Sequence, residues 1–336
     1  MSLRSAANLL GDRLFALPVA IVYLTDKCNS RCISCDYWRY GRTHMAMELV
    51  LRLAEELPRS GARYVLLSGG EPLLHPRWEE IAAQFKRAGL RVAMVTSGIM
   101  LPRFAEPVAT LIDELYISLD GATPETYRAI RGVDGLGLIE QGARALAGRT
   151  PFAFRTTVQR GNYRELPAMI RLSRAWGAAH HSFLAVDVST HAAFARREAF
   201  DASMALAAED LVEFDRVLDE IEREFAAEFG AGYIAESPEK LRRLRRYFAA
   251  LLGQTAFPRV RCNAPRFSTV IETDGTLKPC YFLPAWGHLD GAPLSAALNA
   301  PAVQSMRRQQ RLGLRQECAR CVCFAYRSLG AMLGRT

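Results

Sequence analysis

The chain has 336 residues, half of them hydrophobic and 23% charged, which allows one large domain or two modest ones around a sizeable core and excludes a disordered chain. The apolar stretch 14–24 is too short to span a bilayer, contains Pro18 and lacks a small-residue cleavage site, so neither a membrane anchor nor a signal peptide is read and a cytoplasmic protein is expected. The net charge of +8 admits a nucleic-acid binder, but the arginines are dispersed and the densest run, Arg242-Arg243-Leu244-Arg245-Arg246, falls in a helix-like segment; a solvated helix face is favoured over a nucleic-acid surface, with room left for an anionic substrate.

The first predicted strand is 18–24, and it delivers Cys28, Cys32 and Cys35 on one loop. A helix at 45–57 follows, then a strand at 63–68 running straight into Gly69-Gly70-Glu71-Pro72, whose glycines permit a sharp turn and a close backbone approach. A helix at 76–88 precedes a third strand, 91–96, ending at Thr96-Ser97-Gly98. A helix at 101–111 precedes a fourth, 114–119, ending at Asp120-Gly121. Thr123 before Pro124 caps a further helix, and one more around 138–146 leads to a fifth strand at 152–159; a helix at 166–176 and a sixth strand at 182–188 complete the pattern. Strands alternating with helices of about a dozen residues imply parallel β-α units. The fold class expected is α/β: a partial (β/α)6 TIM-like barrel over residues 1–190, with the short motifs gathered at the carboxyl ends of the strands. Two long charged helices, 204–229 and 238–252, read as a helical bridge across 191–258. His180, His181 and His191 read as isolated surface histidines rather than ligands.

The eight cysteines fall into two tight clusters, which favours metal ligation in a reducing compartment over a disulfide framework. Three thiolates spaced C-x3-C-x2-C can hold three irons of a cubane cluster and leave the fourth iron open, as a catalytic centre requires. A zinc knuckle would need a fourth ligand nearby, and none is present. In the last fifth of the chain, Asp274-Gly275 marks a hairpin that would bring Cys280 back towards Cys262, and a helix at 294–312 would return the chain to Cys318 and Cys321. Those four would make a closed four-thiolate site, either an iron–sulfur cluster or a zinc ribbon. Cys323 is left over: it can replace one of the four, donate a hydrogen atom to a substrate radical as a catalytic residue, or fill a gap in the packing.

The three-cysteine loop after a first strand, with Gly69-Gly70-Glu71-Pro72 on the second, resembles the signature of the radical S-adenosylmethionine (SAM) enzymes. The resemblance implies a [4Fe–4S] cluster on Cys28, Cys32 and Cys35 whose open iron binds the methionine end of SAM; an electron from the cluster then cleaves SAM to a 5′-deoxyadenosyl radical that abstracts hydrogen from a substrate. It further implies SAM contacts from Gly69, Gly70, Glu71 and Pro72, from Ser118 and Asp120, and, with less support, from Thr96 and Arg131, the latter in a Tyr127-x3-Arg131-Gly132 stretch similar to the family's following helix. Ser34 stands where the family has a bulky residue, so adenine packing is assigned to Tyr37 or Trp38. Residues 259–336 resemble the SPASM/twitch auxiliary-cluster module, here the short twitch form with one second [4Fe–4S] cluster on Cys262, Cys280, Cys318 and Cys321. The implied function is oxidation or epimerisation of a small molecule, anionic or sugar-like, such as a sugar or aminocyclitol, with flavodoxin or ferredoxin as electron donor. No peptide-recognition segment is read before the first strand. Modification of a ribosomal peptide is the alternative on the same scaffold, and a metal-containing binding protein is the alternative outside it.

Overall fold

In the computed structural model, which describes residues 3–190, 193–197 and 201–333, the expected strands β1 (Val19–Thr25), β2 (Tyr64–Gly69), β3 (Arg91–Thr96), β4 (Glu114–Ser118), β5 (Phe152–Val158) and β6 (His180–Ala185) pair in chain order, all parallel. On the other side of β1 lies β7 (Ser268–Ile271), also parallel, followed antiparallel by β8 (Thr276–Lys278) and β9 (Gly287–His288). The order β6-β5-β4-β3-β2-β1-β7-β8-β9 leaves the sheet open, so the barrel is partial, and the hairpin extends the barrel's own sheet.

The side-chain period of two explains the two faces. On β4, β5 and β6 the positions Leu115, Ile117, Phe154, Phe183 and Ala185 are buried in the main core against the helices, while the alternate positions Tyr116, Ser118, Arg155, Thr157, Ser182 and Leu184 are only half-buried and face the concave side. The helices present one apolar stripe each, as Met47–Arg59 does with Val50, Leu53, Ala54 and Leu57. Concave-facing side chains are thus the ones free to meet a ligand.

Four expectations need correction. The sixth strand begins at His180 rather than at 182, because His180 and His181 pair in register with Ala153 and Phe154. His181 is fully buried on the helix-facing side, stacked on Phe183 with its ring nitrogens 2.9 Å from Thr156 Oγ1 and 3.0 Å from Ser173 Oγ, so it is a core histidine and not a surface one. His180 packs edge-on to Tyr116, and His191 lies outside the described residues. The helix expected at 204–229 is broken into Asp210–Glu224 and Ala226–Gly230 at Phe225, whose φ and ψ of −110° and 30° are not helical. The one expected at 294–312 is split into Leu294–Ala297 and Pro301–Arg311, since Pro301 cannot continue a preceding helix.

The arginine run sits on the helix Pro238–Leu251, where Arg242 pairs with Asp219 and Glu222 and Arg245 with Asp215 of the neighbouring helix. That interhelical pairing accounts for much of the run's charge. No helix among the described residues is long and apolar enough to cross a membrane.

Candidate functional site

The loop bearing Cys28, Cys32 and Cys35 has almost no regular structure, and its shape comes from the elements around it. Arg31 N donates to Arg131 O at 2.8 Å and Ile33 N to Ile130 O at 3.0 Å, tying the loop to the carboxyl end of the helix Pro124–Arg131. The next residue, Gly132, has φ +68°, and a Cβ there would lie 2.5 Å from Arg31 O, so only glycine lets the two backbones meet. On the other flank Gly70 N donates to Thr25 O and Glu71 N to Lys27 O, both at 2.8 Å. Cβ atoms on Gly69 and Gly70 would lie 2.2 Å from Thr25 O and Lys27 O. The two glycines expected to approach a ligand are thus required first by the strand that precedes the thiols. Behind the loop, Asp36 N donates to Phe194 O at 2.9 Å, and Arg196 donates to Ser34 O at 3.0 Å while pairing with buried Asp187.

Several of the residues singled out in the sequence have protein partners. Glu71 is buried and accepts from Thr96 Oγ1 at 2.8 Å, Ser97 N at 2.7 Å and Leu73 N at 3.2 Å; burial raises its pKa and those hydrogen bonds oppose the rise. Pro72 opens the short turn Pro72–Leu74 that Glu71 caps. Asp120, also buried, accepts from Thr157 N at 2.7 Å and pairs with Arg131 Nε at 2.7 Å, and Arg131 Nη1 in turn lies 3.4 Å from Cys32 Sγ. A relay therefore runs from the end of β4 through Asp120 and Arg131 to a thiol. Ser118 is half-buried on the concave face, in register with Arg155 of β5. Tyr37 turns into the barrel and meets Tyr23 edge-on at 6.0 Å, and Trp38 donates to Cys32 O.

The second cysteine set is assembled from distant segments. Cys262 stands just before the turn Ala264–Arg266, Cys280 follows β8, and Cys318, Cys321 and Cys323 lie on a nearly irregular segment near the end of the chain. Asn263 fixes that segment: its backbone N donates to Ala325 O at 2.9 Å, and its amide exchanges two hydrogen bonds of 2.9 Å with the backbone of Arg327. Nothing in the sequence pattern marked Asn263. Burial pushes the Cys280 thiol up to about 12 and Cys318 up to about 11, and raises Cys262 and Cys321 as well, with neighbouring cysteines adding to the rise in all four. In the first loop burial pushes Cys28 up to about 12 and raises Cys35. Such thiols are protonated at neutral pH until a metal displaces the proton.

The two sets look onto one lumen. Tyr281, next to Cys280, stacks on Tyr23 at 6.3 Å, and Tyr23 meets Tyr37 beside Cys35. Arg155 reaches from β5 to 3.4 Å from Cys323 Sγ. Burial keeps all three phenols protonated. Tyr23 and Tyr281 were not anticipated, although Tyr23 alternates with Ile21 on β1 and a period of two already places both on one face.

The family model described as the radical SAM superfamily matches residues 22–172, and that of an iron–sulfur cluster-binding domain, SPASM, matches 262–322. The chain carries a radical SAM domain followed by a SPASM domain. It is 35% identical over 162 residues to a probable GTP 3′,8-cyclase of Thermococcus kodakarensis, covering 46% of this chain and 52% of that protein. To an AdoMet-dependent heme synthase of Methanosarcina barkeri it is 34% identical over 176 residues, covering 48% and 49%. The chain thus spans about half the length of the curated relatives it matches. Among solved structures, SuiB of Streptococcus suis bound to S-adenosylmethionine superposes with a TM-score of 0.64 at 13% identity, covering 96% of this chain and 76% of that one. The structure of anSMEcpe with bound AdoMet gives 0.66 at 15%, covering 91% and 89%. Identities this low show the fold.

The two domains of this radical SAM chain imply SAM, a [4Fe–4S] cluster and auxiliary iron–sulfur chemistry. The donor sets fit them. Both are made of soft thiols alone, and among the described residues no three His, Cys, Asp or Glu groups converge tightly enough for a single metal ion. Soft thiolates are the donors that iron–sulfur clusters take.

Proposed function

We propose that this radical SAM protein oxidises an unactivated C–H of a small molecule by two electrons. Cys28, Cys32 and Cys35 would hold the first cluster, and four of Cys262, Cys280, Cys318, Cys321 and Cys323 a single auxiliary one, as in a twitch module following a barrel (1–190) and a bridge (191–258). When bound, these groups supply the electron that splits SAM to a 5′-deoxyadenosyl radical and an acceptor for the electron left after hydrogen abstraction.

The remaining roles fall to side chains. The backbone of Gly69 and Gly70 and the hydroxyl of Ser118, at the strand ends, would orient SAM. Asp120 holds Arg131 against Cys32, where the guanidinium donates towards the sulfur. Tyr37, Tyr23 and Tyr281 wall the lumen with neutral phenols and keep water from a radical. The observation that carries the oxidation reading is that the two thiol sets face one lumen, joined through Tyr281 and through Arg155 at Cys323. The dehydrogenase and epimerase readings separate on the product: an oxidised product with one 5′-deoxyadenosine per turnover supports the first, and an isomer of unchanged mass refutes it.

Peptide modification is the second reading, favoured by the fold shared with SuiB, solved with its precursor peptide SuiA, and with anSMEcpe, solved with the peptide Kp18Cys. The anaerobically reconstituted protein is tested with SAM and dithionite. Release of 5′-deoxyadenosine, abolished in Cys32→Ala, is expected; a colourless protein or intact SAM would overturn the radical SAM activity. Coupling of that release to a mass change in a peptide rather than a metabolite would select the second reading.

A further inference from the structure

Between the open edge of the barrel and the auxiliary segment lies a cavity of about 140 Å³. One wall is the concave face of β5 and β6, with Arg155; another is the first turns of the helix Pro238–Leu251, with Lys240 and Arg243; a third is the segment carrying Arg320, Cys321 and Cys323. Four cations and one carboxylate, Glu236, therefore line one small space.

None of the four has an ion-pairing carboxylate within 4.0 Å among the described residues, and it is their meeting at one cavity, not the lack of a pair, that sets them apart. Elsewhere most arginines near acids are paired, as Arg160 is with Glu209 and Asp210, Arg171 with Glu220 and Glu224, and Arg242 with Asp219 and Glu222. Glu236, the one acid present, is committed to Phe183 N at 2.8 Å. Arg243 lies over the Phe324 ring at 4.6 Å and gives one Nη2–H to Pro258 O at 2.9 Å, and Arg320 lies over Phe257 at 5.3 Å, so each guanidinium keeps further N–H donors for planar recognition. Arg155 and Arg243 are half-buried, while Lys240 and Arg320 stand exposed at the mouth; a partly desolvated, unpaired guanidinium is costly unless a counter-ion arrives.

We propose that this cavity is the binding site for an oxyanion, a carboxylate or phosphate, carried by the substrate, held by Arg155, Lys240 and Arg243. The inference rests on the enzyme reading above and names its substrate class. The volume admits one such group and not a whole metabolite, so the rest of the molecule extends into the lumen beside Ser118 and Tyr281. Arg155, in contact with both the cavity and Cys323, orients the anionic end towards the auxiliary thiols.

The test is calorimetry on the anaerobically reconstituted, full-length protein with two probes, inorganic phosphate and acetate. Binding of at least one is expected, and which one separates a phosphorylated substrate from a carboxylic acid. Lys240→Glu and, independently, Arg243→Gln should each weaken it by about tenfold or more, as loss of a charge-assisted hydrogen bond does. Glu236→Gln should tighten it, a gain that misfolding cannot produce. Iron content and melting temperature are measured on every variant. If neither probe binds, if affinity is unchanged in the variants, or if Lys240→Glu loses iron with no change in affinity, the cations serve the cluster or the fold and the proposal falls. The 5′-deoxyadenosine assay on the same samples keeps the two readings apart: anion binding without SAM cleavage would sink the enzyme and keep the site.

Discussion

Around Cys28, Cys32 and Cys35 the chain supplies its own scaffold. The loop is held by backbone hydrogen bonds to Ile130, Arg131 and Phe194, its stem by those from Gly70 and Glu71, and every element that holds it belongs to, or packs on, the parallel sheet. Around Cys262, Cys280, Cys318, Cys321 and Cys323 there is little but turns, a two-residue strand and a half-exposed segment pinned by Asn263. Each net hydrogen bond is worth about 1 kcal/mol, so the first set can be preformed, whereas the second has to be closed largely by what it binds. A reactive cluster with one open position gains from a fixed cradle; a closed four-thiolate site contributes folding energy of its own.

The largest effect should come from removing iron. Chelation is expected to leave amide exchange in β1 to β5 near its protected level and to bring 316–329 to nearly free exchange. Hydrogen exchange with mass detection reads both at once, and equal loss of protection in both regions would break the contrast. In the same vein, Cys280→Ala or Cys321→Ala should release only the auxiliary iron, while Cys28→Ala should stop 5′-deoxyadenosine release and keep the auxiliary iron bound.

Next in size is Gly132→Val. A branched side chain at φ +68° would meet Arg31 O and push the thiol loop off its helix. Occupancy of the first cluster should fall roughly tenfold, a loss of about 1.4 kcal/mol in holding the loop, with auxiliary iron unchanged. Iron and sulfide counts on Gly132→Val and Gly132→Ala, the milder change, give the trend.

That glycine shows what was legible in the sequence. The six-strand alternation, the thiol loop and Gly69-Gly70 could be read because periodicity and local spacing encode them. The stretch ending at Arg131-Gly132 stood out by its resemblance, but its task, docking a loop a hundred positions away, is a tertiary fact. His181 was misread for the same reason: a neighbouring His180 points to the other face of the strand, and only the register on β5 decides which of the two is core. The cationic cavity was hidden too, since Arg155, Lys240 and Arg320 are far apart in the chain and an unpaired arginine looks like a paired one until its neighbours are placed.

His181 also sharpens the contrast, because its effect should be confined to the barrel. Burial lowers its pKa from 6.5 to about 3. Thr156 Oγ1 gives its proton to Leu119 O, and Ser173 Oγ lies between Ile170 O, Tyr233 Oη and His181 Nδ1, so it is burial and not the hydrogen-bond pattern that favours the neutral ring. The unfolded chain takes up the proton first as pH falls, so this contribution is complete above pH 6.5 and is lost progressively towards pH 3, with a slope of up to ~1.4 kcal/mol per pH unit. Urea unfolding at neutral and mildly acidic pH should show a shallower dependence in His181→Gln than in the native chain, and a parallel pair of curves would count against the neutral core histidine.

The smallest expected effect is that of Tyr281→Phe, where the two regions touch. Tyr281 belongs to the auxiliary side by sequence and to the lumen by position, stacked on Tyr23. Tyr281→Phe keeps the stack and deletes one hydroxyl, so stability should change by about 1 kcal/mol or less. Tyr281→Ala removes the stack as well, opening a gap between the two thiol sets that costs about 3–5 kcal/mol if it stays empty. If the lumen joins the two sets as described, the alanine variant should release 5′-deoxyadenosine at close to the native rate and lose product formation, whereas the phenylalanine variant should keep both. Equal loss of both activities in Tyr281→Ala would mean that the ring holds the thiol loop rather than the space between the two sets.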